Sequence, residues 1–100
     1  MAFTATKTLT RTSRRIPWWI VPPETLQYYK TTYDDTGKRL SLEVHVSDDG
    51  LQQIAKSTWI NKEAYDEFAA DIKQRDISHP DWSEHNGVNN IQTVWVTSEV

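Results

Sequence analysis

Leu40-Ser41-Leu42-Glu43-Val44-His45-Val46, then Asp48-Asp49-Gly50, then Leu51 to Ile60, then Asn61-Lys62-Glu63-Ala64-Tyr65 onward to Ile72 form one continuous run of strand, turn, strand and helix signals. In the first piece Leu40, Leu42, Val44 and Val46 alternate with Ser41, Glu43, His45 and Ser47, the period of a half-buried strand with one inner face. Asp48-Asp49-Gly50 predicts a hairpin turn, because Asp-Gly accepts the positive φ angles that such turns need. The return strand puts Ile54, Lys56, Thr58 and Ile60 on one face and Ala55, Ser57 and Trp59 on the other. Asn61 is then a helix N-cap, with Glu63 in the first turn near the positive end of the dipole. Ala64, Tyr65, Phe68, Ala69 and Ile72 recur at helical spacing and give that helix a buried stripe. It fades over Lys73 to Arg75, and His79-Pro80 excludes its continuation.

Outward from this run the same reading applies. Thr4, Thr6, Thr8, Thr10 and Thr12 alternate with Phe3, Ala5, Lys7, Leu9 and Arg11, which predicts a strand, or an arm that becomes one by pairing. Pro17 confines Arg14 to Val21 to an edge or a bulge and leaves open whether the segment is its own strand. Pro22-Pro23-Glu24 opens a helix whose buried stripe is Leu26, Tyr29 and Tyr33, and Asp34-Asp35-Thr36-Gly37 ends it. Asp81 to Asn90 reads as a polar loop around Trp82 and Gly87. Ile91 to Thr97 is the last strand, with Ile91, Thr93 and Trp95 on one face and Val94 and Val96 on the other.

The order is strand, helix, strand, strand, helix, strand: the ferredoxin-like α+β plan, βαββαβ, with an antiparallel sheet carrying both helices on one face. The chain divides into a basic, Thr-rich strand or arm, residues 1–15, and an α+β domain, residues 16–100. One sheet face is left bare, and either Trp59 or its neighbours Thr58 and Ile60 must point toward it. Such a face is economically covered by a second copy of the chain. The interface candidates are Thr6, Thr8, Thr10, Trp18, Trp19, Trp59 and Trp95, and the N-terminal segment is a candidate inter-subunit strand.

Composition narrows the chemistry. One hundred residues suffice for a single core, and the absence of cysteine excludes thiolate catalysis, Cys-based zinc sites and a disulfide framework. Five Trp, four Tyr and two Phe argue against disorder despite a mean hydropathy of −0.69. No apolar run has the length of a membrane span, so a soluble protein of the cytosol is expected, with no membrane partner. The net charge of −3 conceals an asymmetry, since Lys7, Arg11, Arg14 and Arg15 precede any acid. A basic arm on an acidic body suits a nucleic-acid contact, but four cations are few for that, and such an arm docks equally well on an acidic neighbouring subunit.

Each tempting site has a plainer reading. His45, Trp59, Asn61 and Tyr65 are the catalytic candidates, although no spacing unites a nucleophile, a base and an orienting group. His79, Asp81, Glu84 and His85 match no metal-binding helix spacing, and neither metal nor cofactor is expected. Trp18-Trp19 and Tyr28-Tyr29 suit packing better than base stacking, because adjacent aromatics in a strand face opposite ways and the acidic body repels phosphate. Asp66, Glu67 and Asp71 read as the solvated side of the second helix, and three glycines leave no phosphate-binding loop.

Thr58-Trp59-Ile60-Asn61-Lys62-Glu63-Ala64-Tyr65-Asp66-Glu67-Phe68 resembles the strand-to-helix segment of the dimeric α+β barrel superfamily, which includes antibiotic-biosynthesis-type monooxygenases and haem-degrading enzymes. The resemblance implies a homodimer and a cofactor-independent or haem-using monooxygenase. The haem branch implies a His on the second helix, and Asn61 to Arg75 contains none; His79 lies beyond the helix end. Ala2 to Thr8, Thr32 to Lys38 and Ser47 to Leu51 resemble small proteins of marine tailed phages, which implies a virion component or an accessory assembly protein. The leading expectation is therefore a non-enzymatic, self-associating assembly domain. The alternative is a monooxygenase of the barrel type.

Overall fold

The computed structural model describes residues 1–99. Strand β1 (Phe3–Thr10) leads through a loop to helix α1 (Pro23–Tyr29), which widens into a π-helical turn (Lys30–Asp34) before strands β2 (Arg39–Val46) and β3 (Gln52–Trp59). Helices α2 (Lys62–Ser78) and α3 (Asp81–Val88) follow, and strand β4 (Gln92–Glu99) completes the sheet. Every pairing is antiparallel, and the order β2-β3-β1-β4 is that of the ferredoxin-like α+β fold expected from the sequence.

Register assigns the strand residues to faces, except Leu40, which a bulge between Arg39 and Ser41 leaves unpaired and exposed rather than on the expected inner face with Leu42. Toward the helices the sheet presents four cross-strand rows: Arg39, Trp59, Phe3, Glu99; Leu42, Ser57, Ala5, Thr97; Val44, Ala55, Lys7, Trp95; and Val46, Gln53, Leu9, Thr93. The bare face carries Ser41, Thr58, Thr4, Ser98; Glu43, Lys56, Thr6, Val96; His45, Ile54, Thr8, Val94; and Gln52, Thr10, Gln92. The alternating threonines of β1 thus line one face as predicted. Because β1 is hydrogen-bonded on both sides within its own chain, it is the inner strand of this sheet, and the expectation of an inter-subunit strand is corrected.

The core gathers at one end of the helix-side face. Phe3, Tyr33, Trp59, Ala64 and Phe68 are buried together, with Tyr28, Tyr29, Tyr65 and Ile72 packed against them. Trp59 is 0% exposed; its ring centroid lies 4.6 Å from Phe68 and 5.8 Å from Tyr33, and its indole N–H donates to Ser57 Oγ at 2.9 Å. Aromatic pairs in these tilted and edge-to-face arrangements add about 0.5–1.5 kcal/mol each beyond their area burial. Asn61 caps α2 as expected, its Oδ1 accepting from the Ala64 N–H at 2.8 Å.

Several expectations are corrected. Asp81–Val88 is a helix rather than a loop; Pro80 precedes it and Asp81 and Glu84 stand at its positive end, but its polar sequence carries no apolar period to announce it. Arg14 to Val21 forms no strand. Leu26 is exposed while Tyr33 is buried, because the π-helical turn rotates the end of the helix out of the simple stripe. Leu42, Val44 and Val46 point toward the helices as the alternation requires, yet Val44 is 55% exposed because no helix covers that part of β2.

The basic segment also has a local fate. Arg11 donates to the carbonyls of Gly50 (2.8 Å) and Ile16 (2.6 Å) and stacks on Trp18 at 4.2 Å, while Arg14 donates to the carbonyls of Asp49 (2.7 Å) and Asp48 (3.2 Å). The β2–β3 turn of the same chain receives these cations. Gly50 sits there at φ +73, and a Cβ added to it would lie 2.8 Å from Arg14 Nε, so this turn needs glycine for both its backbone and its contact.

Candidate functional site: a half-open chamber between sheet and helices

Packing concentrated at the Phe3–Trp59 end leaves the middle of the sheet uncovered on its helix side. A chamber of about 450 Å³ results, with Leu9, Leu42, Val44, Tyr29, Trp82 and Trp95 in its walls. A smaller hollow of about 250 Å³, reached by Tyr65, Ala69 and Lys73, adjoins it and shares Phe68, Ile72, Asp76, Trp82 and Trp95. Mostly apolar cavities of the larger size, with a few converging polar groups, are the usual form of small-molecule sites.

Lys7 stands on the floor of this chamber, between Ala55 and Trp95 in the central row. Its Nζ lies 5.6 Å from the Trp95 ring centroid, and among the described residues no side-chain or carbonyl acceptor pairs with it. Burial pulls the Lys7 ammonium below the usual lysine value, since an apolar environment disfavours the charged form. The other lining cations are already engaged. Arg39 makes a two-pronged ion pair with Asp34, and Arg75 donates to Asp71 at 3.0 Å while lying 3.8 Å over the Tyr28 ring. Asp76 accepts from the Ser83 N–H at 3.4 Å, and His79 and Asp81 border the rim.

Asp71 braces the chamber from behind. Its Oδ2 accepts from the hydroxyls of Tyr33 (2.7 Å) and Tyr28 (2.8 Å) and its Oδ1 from Arg75, so this residue is not the solvated helix surface expected of it. Burial opposes its charge, but the hydrogen bonds from Tyr33 and Tyr28 and the Arg75 guanidinium outweigh that and hold the carboxyl below its usual range. Burial and the bond to Asp71 push the Tyr33 phenol up in turn.

The four catalytic candidates do not converge. His45 projects from the bare face, Trp59 is sealed in the core, Asn61 is spent as a cap, and Tyr65 alone reaches a hollow. Burial raises the Tyr65 phenol above its usual value. Of the interface candidates, Thr6, Thr8 and Thr10 lie on the bare face; the four tryptophans do not. Trp18 is under Arg11, Trp19 lies in the chamber wall 5.8 Å from His85, Trp59 is in the core, and Trp95 faces the helices. Among the described residues no three His, Asp or Glu side chains gather as a metal site. His85 Nε2 is 2.8 Å from the Pro17 carbonyl, which assigns the ring proton to that nitrogen. Lys7 was absent from the sequence-derived candidates, though the alternation places it between Ala5 and Leu9 on the face shared with Phe3.

Fold and sheet order define a ferredoxin-like α+β protein. Among solved structures the chain is similar to a dimeric ferredoxin-like protein from an uncultured marine organism, with a TM-score of 0.57, 9% identity, and 99% of this chain and 94% of that chain covered. SnoaB, a cofactor-independent oxygenase from Streptomyces nogalater, gives a TM-score of 0.49 at 11% identity over 99% of this chain and 92% of its own. Rv0793 from Mycobacterium tuberculosis gives 0.43 at 9% over 98% and 95%. No protein-family model matches the chain, and no curated protein does. Among the described residues no helix is long and apolar enough to cross a membrane.

Proposed function

We propose that this chain is a non-enzymatic, self-associating binding domain that pairs with a second copy through its bare sheet face and keeps the chamber on the opposite side for a small apolar molecule. The observation that carries the pairing is an excess of surface. The chain exposes 6587 Å², roughly 700 Å² more than the ~5,800 Å² typical of a monomer of its mass. A standard interface removes about 800 Å² per partner, which matches that excess. The bare face supplies a suitable patch, with Val94 57% and Val96 61% exposed beside Ile54 and the β1 threonines. A dimeric neighbour of the same fold supports the same reading.

Light scattering coupled to size exclusion tests it. The wild-type chain of 11.6 kDa is expected at ~23 kDa, and Val94→Glu/Val96→Glu at the monomer mass with an unchanged circular dichroism spectrum. A monomeric wild type, or a double variant that still pairs, overturns the proposal. A larger ring or open-ended growth favours the assembly role; a virion setting has only the short sequence resemblances behind it.

A second reading, the cofactor-independent monooxygenase, is favoured by one observation: an unpaired amine on the floor of an aromatic-walled chamber can accept a proton from an acidic substrate. Oxygen uptake in the presence of an electron-rich hydroquinone, lost in Lys7→Met, supports it; uptake no faster than in buffer sinks it.

A further inference from the structure

We infer that the chamber selects carboxylates with an apolar body, the carboxylate seated on Lys7 and the body against Trp95, Trp82 and Val44. The inference rests on the chamber being a ligand site and adds the chemical class of its occupant. Its basis is an imbalance of charge. Of the cations that reach the chamber, Arg39 and Arg75 are each matched by a carboxylate of their own chain, Asp34 and Asp71. Lys7 is matched by none, although it lies at the centre of the sheet where β3 and β4 flank it and no solvent-facing position is open to its backbone.

Register leaves Lys7 without a direct partner. Its nearest neighbours along and across the floor are Ala5, Leu9, Ala55 and Trp95, none of which can accept a strong hydrogen bond, and of the polar side chains one row away on β3, Ser57 is engaged with Trp59 and Gln53 makes no bond to Lys7. Of the acids that border the chamber, Asp76 accepts from the Ser83 N–H at 3.4 Å and Asp81 stands in the first turn of α3, and among the described residues neither pairs with Lys7. An ammonium surrounded by apolar surface is costly unless paired, so an incoming carboxylate restores a match that the chain itself withholds. A neutral molecule of the same shape gains the apolar contacts only. A cationic one finds the unmatched Lys7 ammonium where its own charge would have to sit on the floor.

Three probes of one shape separate these terms: 1-naphthoate, 1-naphthalenemethanol and 1-naphthylmethylammonium, titrated into the full chain by calorimetry with the indole N–H signals followed by NMR. Naphthoate is expected to bind about tenfold or more tightly than the alcohol, the range of a charge-assisted hydrogen bond, and to shift the Trp95 and Trp82 signals. The ammonium probe is expected to bind weakest. Lys7→Met is expected to erase the preference for naphthoate and leave the alcohol within about twofold, while Lys7→Arg keeps the preference. Lys7→Gln serves as the neutral variant if the methionine form does not fold. Equal binding of naphthoate and alcohol by the wild type, or an unchanged preference in both neutral variants, overturns the carboxylate inference and leaves the chamber as an apolar site. If none of the three probes binds, the chamber is no ligand site and both readings fall.

Discussion

Lys7 and Trp95 are direct cross-strand partners on β1 and β4, and the ammonium nitrogen of the one lies 5.6 Å from the ring centroid of the other. The indole face is the one electron-rich surface offered to that charge by its own row, whose remaining members are Val44 and Ala55. Cation–π attraction of this kind offsets only part of the desolvation of an ammonium, and burial lowers the proton affinity of Lys7.

Lys7→Met is therefore expected to stabilise the free protein by up to about 1 kcal/mol at neutral pH, because a half-buried charge without a full partner is replaced by an apolar chain of similar length. The sign of the pH dependence follows from the direction of the shift. The folded state binds the Lys7 proton less tightly than the unfolded state, so wild-type stability rises as pH climbs toward the ordinary lysine value of 10.5. The advantage of the variant should shrink over that interval in urea titrations; a constant difference between pH 7 and pH 10 contradicts the assignment.

Asp71→Asn tests the brace behind the chamber. The carboxylate accepts from Tyr33, Tyr28 and Arg75, and the amide cannot accept at both of its polar atoms, so a loss of about 1–3 kcal/mol is expected. In the wild type the Asp71 contribution is present above the ordinary carboxylate value, about 3.9, and disappears as pH falls through its lower folded value. Tyr33 adds a limb of the opposite sense: its raised value keeps its contribution intact below the ordinary tyrosine value of 10.0 and lets it fade as pH rises beyond that. Chemical denaturation across both limits should show the acid limb flattened in the variant.

Gly50→Ala separates backbone strain from crowding at the β2–β3 turn. Alanine at a φ of +73 costs about 1–2 kcal/mol whatever the space, and the new Cβ also displaces the Arg14 side chain from the Asp48 and Asp49 carbonyls. In an Arg14→Ala background the crowding part is gone, so the loss measured by thermal unfolding should be smaller there than in the wild type. Equal losses in the two backgrounds would show that Arg14 yields freely.

Asn61→Ala and Trp59→Ala distinguish structure from chemistry at two of the sequence-derived candidates. Loss of the cap is expected to cost about 1 kcal/mol and leave naphthoate affinity unchanged. Loss of Trp59, with no exposed surface, is expected to cost about 3–5 kcal/mol and unfold much of the population. Binding that falls in Asn61→Ala without any change in stability would return Asn61 to the functional list.

Local alternation and punctuation made most of the fold legible. β2, the Gly50 turn, β3, the Asn61 cap and α2 each follow from neighbouring residues, because strand period, turn conformation and capping are decided within a few positions of the chain. The helix α3 escaped because Asp81 to Val88 has no apolar stripe, and its position depends on what Pro80 and α2 place before it. The bare face and the threonines on it were likewise readable from the alternation in β1.

What the sequence determined by itself is thus the four strands, the helices α1 and α2, their order, and the faces of the strand residues away from the β2 bulge, since all are properties of local periodicity. Only the tertiary structure decided that the aromatic packing collects at the Phe3–Trp59 end and leaves the middle rows uncovered, that Arg11 and Arg14 turn back onto their own hairpin, that Asp71 is claimed by two tyrosines, and that Lys7 stands alone on the chamber floor. These are relations between residues tens of positions apart, set by how large side chains share a limited volume. No pattern within one strand or one helix contains them.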